Sequence, residues 1–156
     1  TPLTAPYPLP GTHEYIRMEK QGGKGIFRVN REDGSFGKFP QVFHREGVDY
    51  LSDTAGKKLL LLDEIGGAEL AEKEFRQALY ATLAGSVPCI GVIKLEEKAA
   101  FMKRTVGYEK DILSYNRELR QRLIEEWNGK IIPFRRGDDR IKEEIEEFIC
   151  GIFMTN

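Results

Sequence analysis

The chain has 156 residues, a formal net charge of −1 and 40% hydrophobic residues. That length and apolar content predict one domain with a sizeable core, and the near-neutral balance offers no electrostatic case for nucleic acid or an anionic membrane surface. No apolar run approaches the roughly 18 residues that a membrane-spanning helix needs, and no segment reads as a signal peptide.

The two cysteines, Cys89 and Cys150, lie in apolar segments without metal-ligand spacing. They read as reduced structural thiols, and the expected setting is the cytoplasm. His13 and His44 have no nearby cysteine or paired histidine, so no metal site is expected on them.

Residues 1–13 carry Pro2, Pro6, Pro8 and Pro10. Proline fixes φ and removes backbone donors, so this stretch reads as an extended arm. The chain starts at Thr1 rather than at a methionine, which methionine excision, processing or loss of an upstream piece would each explain. Residues 14–156 read as one α/β domain, β-rich over 14–55 and alternating over 56–156. Residues 14–20 and 25–30 are predicted strands joined by Gln21-Gly22-Gly23-Lys24 as a hairpin. Asp33-Gly34 is a further turn signal, and residues 41–52 suit a short helix.

Leu59-Leu60-Leu61-Leu62 is a short unbroken apolar run, which predicts a strand buried on both faces, as in a parallel sheet. A helix is expected over Leu70 to Ala84, with Phe75, Leu79 and Leu83 on one face and Gly85 as its stop. Residues 87–93 form a second predicted buried strand, with Pro88 near its start. Leu95 to Arg104 is expected to be helical. Asp111 to Tyr115 reads as a third strand, followed by a helix from Arg117 to Trp127 with Leu119, Leu123 and Trp127 inward. Lys130 to Phe134 reads as a last short strand. Asp138 to Phe153 suits an amphipathic helix with Ile141, Ile145, Phe148, Ile149 and Ile152 on its apolar side. Alternation of strand and helix from residue 59 onward predicts a parallel sheet with helical crossovers.

The leucine strand ends in Asp63-Glu64. Open α/β sheets bind ligands at the carboxyl ends of their strands, and two acids there suit phosphoryl chemistry, one on Mg²⁺ and one on the attacking water. The plainer alternative is a pair of loop acids favouring the next helix N-terminus. The continuation Ile65-Gly66-Gly67-Ala68-Glu69-Leu70 adds two glycines that allow a tight turn or a close approach.

Asp63-Glu64-Ile65-Gly66-Gly67-Ala68-Glu69-Leu70 resembles the Walker B segment of the THEP1-type nucleoside-triphosphatases, which typically reads Asp-Glu-Ile-Gly-x-Met-Glu-Leu. Phe75, the 87–93 segment, Tyr115-Asn116-Arg117-Glu118-Leu119, Phe36-Gly37-Lys38-Phe39 and the stretch from Tyr15 to Phe27 fall in the family's order, from about residue 14 to residue 127. The resemblance implies a three-layer parallel sheet of the P-loop NTPase type with an inserted N-terminal β-hairpin. It also implies Mg²⁺-dependent hydrolysis of a nucleoside triphosphate, ATP or GTP, to the diphosphate and phosphate. Carried over, Asp63 is the Mg²⁺-side carboxylate and Glu64 the residue that activates water. Asn116 and Arg117 fall where such folds often contact the base, with a helix cap and a surface arginine as the alternative. Glu19 and Lys38 match family positions but read as surface charges.

Two departures stand out. Ala68 replaces the usual Met, and no Gly-x-x-x-x-Gly-Lys-Ser/Thr loop, the phosphate cradle, occurs in the sequence. Gly22-Gly23-Lys24-Gly25 lacks a Ser or Thr after its lysine and sits between strands, and Gly34-Ser35-Phe36-Gly37-Lys38-Phe39 fails likewise. Family order would put the loop before Tyr15, with a strand and helix that need roughly 35 residues. The proline-rich stretch there has no room for them. The first strand, phosphate loop and helix are therefore expected to be absent, by fragmentation or by loss. Two functions stay open: a hydrolase represented by its Walker B half and inactive as this chain alone, or a non-catalytic binding or regulatory module. Without that first strand and helix, the 59–62 strand is expected to keep an uncovered edge or face, which favours a homodimer or cover by the proline-rich arm.

Overall fold

A computed structural model describes residues 28–30, 36–38, 43–100, 112–133 and 139–154. The chain divides into two compact units, Thr1–Val42 and Phe43–Asn156.

In the first unit, β1 (Arg28–Asn30) pairs antiparallel with β2 (Phe36–Lys38), with Val29 opposite Gly37. The partner of the 28–30 segment is thus a strand that comes after the Asp33-Gly34 turn signal. The expected strand over 14–20 and its glycine turn lie outside the described residues, as do the proline arm and Glu19.

The second unit opens with a π-helical turn, Phe43–Gly47, that runs into α1 (Val48–Ser52). The leucine run becomes β3 (Leu60–Ile65), which pairs in parallel with β4 (Cys89–Ile93). Between them lie a 3₁₀ turn, Ala68–Ala71, and α2 (Lys73–Leu83). The helix expected from Leu70 is therefore broken at Glu72, whose backbone is extended. Residues 96–100 are helical (α3), followed by α4 (Ile112–Glu125) and α5 (Asp139–Met154). This is a mixed α/β unit with a small parallel sheet.

Three strand expectations fail. Ile112 to Tyr115 is the first turn of α4 rather than a third strand. The reason is an inward stripe at Ile112, Asn116, Leu119 and Leu123, which has helical and not strand spacing. Residues 130–133 are in no strand. β3 and β4 are also not buried on both faces: Leu61 is 60% exposed and Val92 58% exposed. The opposite face, with Leu62 and Ile93, packs against the helices.

That side holds the core. Leu51, Ile65, Leu70, Phe75, Leu79 and Leu119 form its centre, with Leu62, Ile93, Leu123 and Trp127 packed around them. The Phe43 and Phe75 rings meet edge to face at 5.3 Å. Thr82 on α2 donates its hydroxyl to the Leu51 carbonyl at 2.9 Å, which ties α1 to α2. A satellite cluster of Ala68, Ala99 and Ile112 joins the 3₁₀ turn to α3 and α4.

α5 is amphipathic as its sequence predicts, yet none of its residues is buried. Its C-terminal end lines a shallow groove with Lys57, Lys58 and Pro88, which flank the N-terminal ends of β3 and β4. Among the described residues, no helix is long and apolar enough to cross a membrane.

The packing predicts a sharp asymmetry between two leucines. Leu79→Ala should lower unfolding stability by about 2–5 kcal/mol, through lost burial and a residual cavity. Leu61→Thr should change it by less than about 1 kcal/mol. Urea unfolding followed by Trp127 fluorescence would measure both.

Candidate functional site

The acids do not come after the strand; they lie inside its last stretch of register. Leu62 pairs with Gly91 and Ile65 with Ile93, so three steps along β3 match two along β4. One extra residue is therefore accommodated at Asp63-Glu64, as in a β-bulge. Leu62 and Ile65 both reach the same core, although regular alternation would send residues three apart to opposite faces. Asp63 and Glu64 are both exposed.

Beyond Ile65 the chain turns sharply at Gly66, whose φ is +92°, a region that favours glycine. A Cβ at Gly66 would lie 2.6 Å from Asn116 Nδ2, and one at Gly67 would lie 2.9 Å from Lys94 Cε. The two glycines thus make room for two particular side chains.

Asn116, on the inner face of α4, is fully buried. Its Nδ2 donates to the Gly66 carbonyl at 2.7 Å and to the Lys94 carbonyl at 3.0 Å. Its Oδ1 accepts from Arg120 Nε at 3.0 Å, and Arg120 Nη2 also donates to the Lys94 carbonyl, at 2.8 Å. Asn116 is therefore no helix cap. It clasps the turn after β3 to the residue after β4. Arg117 points away: it is 63% exposed and its Nε donates to Glu96 on α3 at 2.8 Å.

Two residues to which the sequence assigns no role complete the cluster. Lys94 Nζ lies 2.8 Å from Glu64 Oε1, with the lysine side chain 18% and the glutamate 57% exposed. Glu69 Oε1 accepts the Gly67 N–H at 2.7 Å, much as the acid of a capping box does. Burial pushes the Glu69 carboxyl above its ordinary range, opposed by backbone N–H groups at Gly67, Glu69 and Gly66 and by the Lys94 ammonium. Glu69 is signalled by its place in the acidic octapeptide. Lys94 has no signal of its own, since only the pairing of β3 with β4 brings it to Glu64.

The arrangement sets exposed carboxylates at the carboxyl end of a parallel strand, just before a turn that Asn116 clasps. Among the described residues no group of three or more His, Cys, Asp or Glu could hold a metal ion. His44 pairs instead with Glu72 at 2.8 Å and Glu74 at 3.3 Å. Cys89 is half-buried, its thiol pushed up by burial, and Cys150 is exposed.

Asn116→Ala should cost about 2–3 kcal/mol, because in a buried setting the Gly66 carbonyl loses its side-chain donor and the Lys94 carbonyl keeps only Arg120. Arg117→Ala should cost less than about 1 kcal/mol, as expected for an exposed ion pair. Denaturant unfolding of both variants tests the contrast. Glu69 gives a pH test. Its folded-state value lies above the ordinary 4.5, so the native state holds that proton more tightly than the unfolded chain. Its contribution should therefore fall as pH rises from about 4.5 through the raised value. In Glu69→Gln, stability should drop less between pH 4 and pH 7 than in the parent chain.

A family model described as NTPase matches residues 14–127. That span takes in β1 to β4, the acids, the glycine turn, Lys94 and the whole of α4, and leaves α5 outside. No curated protein and no solved structure matches the chain. With well over half its length matched, the chain belongs to the NTPase family, as its resemblance to the THEP1-type nucleoside-triphosphatases implies, and its function is nucleoside-triphosphatase-like.

Proposed function

We propose that this chain carries the carboxylate half of a site that hydrolyses a nucleoside triphosphate, ATP or GTP, to the diphosphate and phosphate. The observation that supports this most is the bulge in β3, which presents Asp63 and Glu64 together at the carboxyl end of a parallel strand. In this reading Asp63 would hold Mg²⁺, and Glu64 would accept a proton from the attacking water. The donor chemistry fits: carboxylate oxygens suit a hard cation, and Mg²⁺ normally takes one or two carboxylates and fills its other positions with water and phosphate. When bound, Mg²⁺ supplies charge neutralisation at the phosphate oxygens.

The remaining residues have supporting parts. Asn116 holds the Gly66 and Lys94 carbonyls, so its contribution is to fix the turn that follows the acids. Arg117, exposed on α4, is the better candidate of the two for contact with the nucleotide base.

A second reading is a non-catalytic binding or regulatory module. In it the 156 residues, which contain no Gly-x-x-x-x-Gly-Lys-Ser/Thr cradle, would act without phosphoryl chemistry. Without backbone donors and a lysine on the β and γ phosphates, little transition-state charge would be stabilised. The 156-residue chain by itself is therefore expected to release no phosphate from ATP or GTP with Mg²⁺. In a preparation of the gene product that does hydrolyse nucleotide, Glu64→Gln should lower kcat by about 10²-fold or more, as loss of a general base does. Wild-type turnover in Glu64→Gln would sink the hydrolase assignment of that residue. A gene product showing neither turnover nor a nucleotide-dependent shift in Tm would favour the module.

A further inference from the structure

We propose that Lys94 is the positioning residue for Glu64, its ammonium fixing the carboxylate that would face the attacking water. This rests on the hydrolase reading of Glu64, and it assigns a role to a side chain just beyond β4 rather than to any residue of the acidic segment.

The argument starts from how Lys94 is mounted. Its N–H donates to the Ile65 carbonyl at 2.7 Å. Its carbonyl accepts from Asn116 Nδ2 at 3.0 Å and from Arg120 Nη2 at 2.8 Å. The backbone at Lys94 is thus tied to β3 and to α4 at once. Its stem then runs past Gly67 closely enough that a Cβ there would meet Cε at 2.9 Å. A lysine side chain 18% exposed is unusual, and a stem confined in this way has few rotamers left to lose. The ammonium is aimed at Glu64 Oε1, 2.8 Å away.

Stability does not explain the pair. Glu64 is 57% exposed, and ion pairs with an exposed partner contribute little to folding. Orientation does explain it. An exposed glutamate samples many rotamers, and a base that must meet a water in one geometry loses rate when it wanders. Holding Oε1 by a charge-assisted bond restricts the carboxylate and leaves Oε2 as the acceptor for a proton from water. The same ammonium also acts on Glu69 beneath the turn, so one cation moderates repulsion among the acids gathered there.

Nuclear magnetic resonance of the 156-residue chain tests the contact without turnover. In the parent chain, a cross-hydrogen-bond correlation between Lys94 Nζ and the Glu64 carboxyl carbon is expected, with a Glu64 side-chain order parameter well above that of Glu143, an exposed glutamate on α5. In Lys94→Met the Glu64 order parameter should fall to the Glu143 level, with Tm nearly unchanged. Lys94→Arg should restore most of it. Undiminished order in Lys94→Met would overturn the proposal. In a gene product that hydrolyses nucleotide, Lys94→Met should lower kcat about tenfold or more with KM within about twofold. Lys94→Arg should recover most of that loss, whereas wild-type kcat in Lys94→Met would overturn the positioning role. If order at Glu64 depends on Lys94 while Glu64→Gln leaves hydrolysis intact, the contact stands and the hydrolase reading of Glu64 falls.

Discussion

The site depends on one buried amide. Asn116 sits inside α4 with no exposure, and its Nδ2 satisfies the carbonyls of Gly66 and Lys94 at once. These two carbonyls belong to the chain just after β3 and just after β4. Both strands leave the sheet there, so neither carbonyl can be paired by a continuing ladder. A buried carbonyl without a donor is costly, and one carboxamide on a neighbouring helix resolves two of them. The carboxyl edge of the sheet, where the acids lie, is thereby locked to α4.

This clasp gives the glycine pair a physical reason. Gly66 adopts a positive φ and yields its Cβ space to the Asn116 amide; Gly67 yields its space to the Lys94 stem. A motif that reads as room for a ligand is, in the described structure, room for the protein's own side chains. The clasp also has a donor behind it, because Arg120 bonds both the Asn116 oxygen and the Lys94 carbonyl. A fully connected polar network of this kind is stiff, and stiffness is what a mount for charged groups needs.

Much of this is legible in the residue pattern, and the failures are specific. The abrupt change from four leucines to two acids marks a strand end facing solvent, and the acids are indeed there. Phe75 and Leu79 read correctly as the inward face of α2, because their spacing of four admits little else. The first turn of α4 misleads because its inward stripe contains an asparagine. With Asn116 counted as polar, the helical stripe is interrupted and Ile112-Leu113 looks like a short strand; with it counted as buried, the helix is continuous from Ile112 to Leu123. Apolarity also says which residues favour burial, not what covers them, so Leu61 and Val92 read as interior although both are exposed. Lys94 is silent, since nothing local to it indicates a partner on a different strand.

The bulge in β3 has the same energetic origin. Leu62 and Ile65 both belong to the core, with two acids between them. In a regular strand with Leu62 inward, Glu64 would also face inward and Ile65 would face water. Exposing the isoleucine would forfeit about 1.5–3 kcal/mol of burial. Bringing a carboxylate into the core would be costlier still without a paired cation, so the group would give up its charge instead. One extra residue in the register avoids both penalties: the two apolar side chains stay on the core, and the two acids stay together in water. The cost is a local break in the ladder. It falls at the end of β3, where the strand is about to leave the sheet and Asn116 is placed to hold the glycine turn. Consecutive acids between two core positions are thus a constraint that the backbone meets by bulging, and the bulge brings both carboxylates to the site.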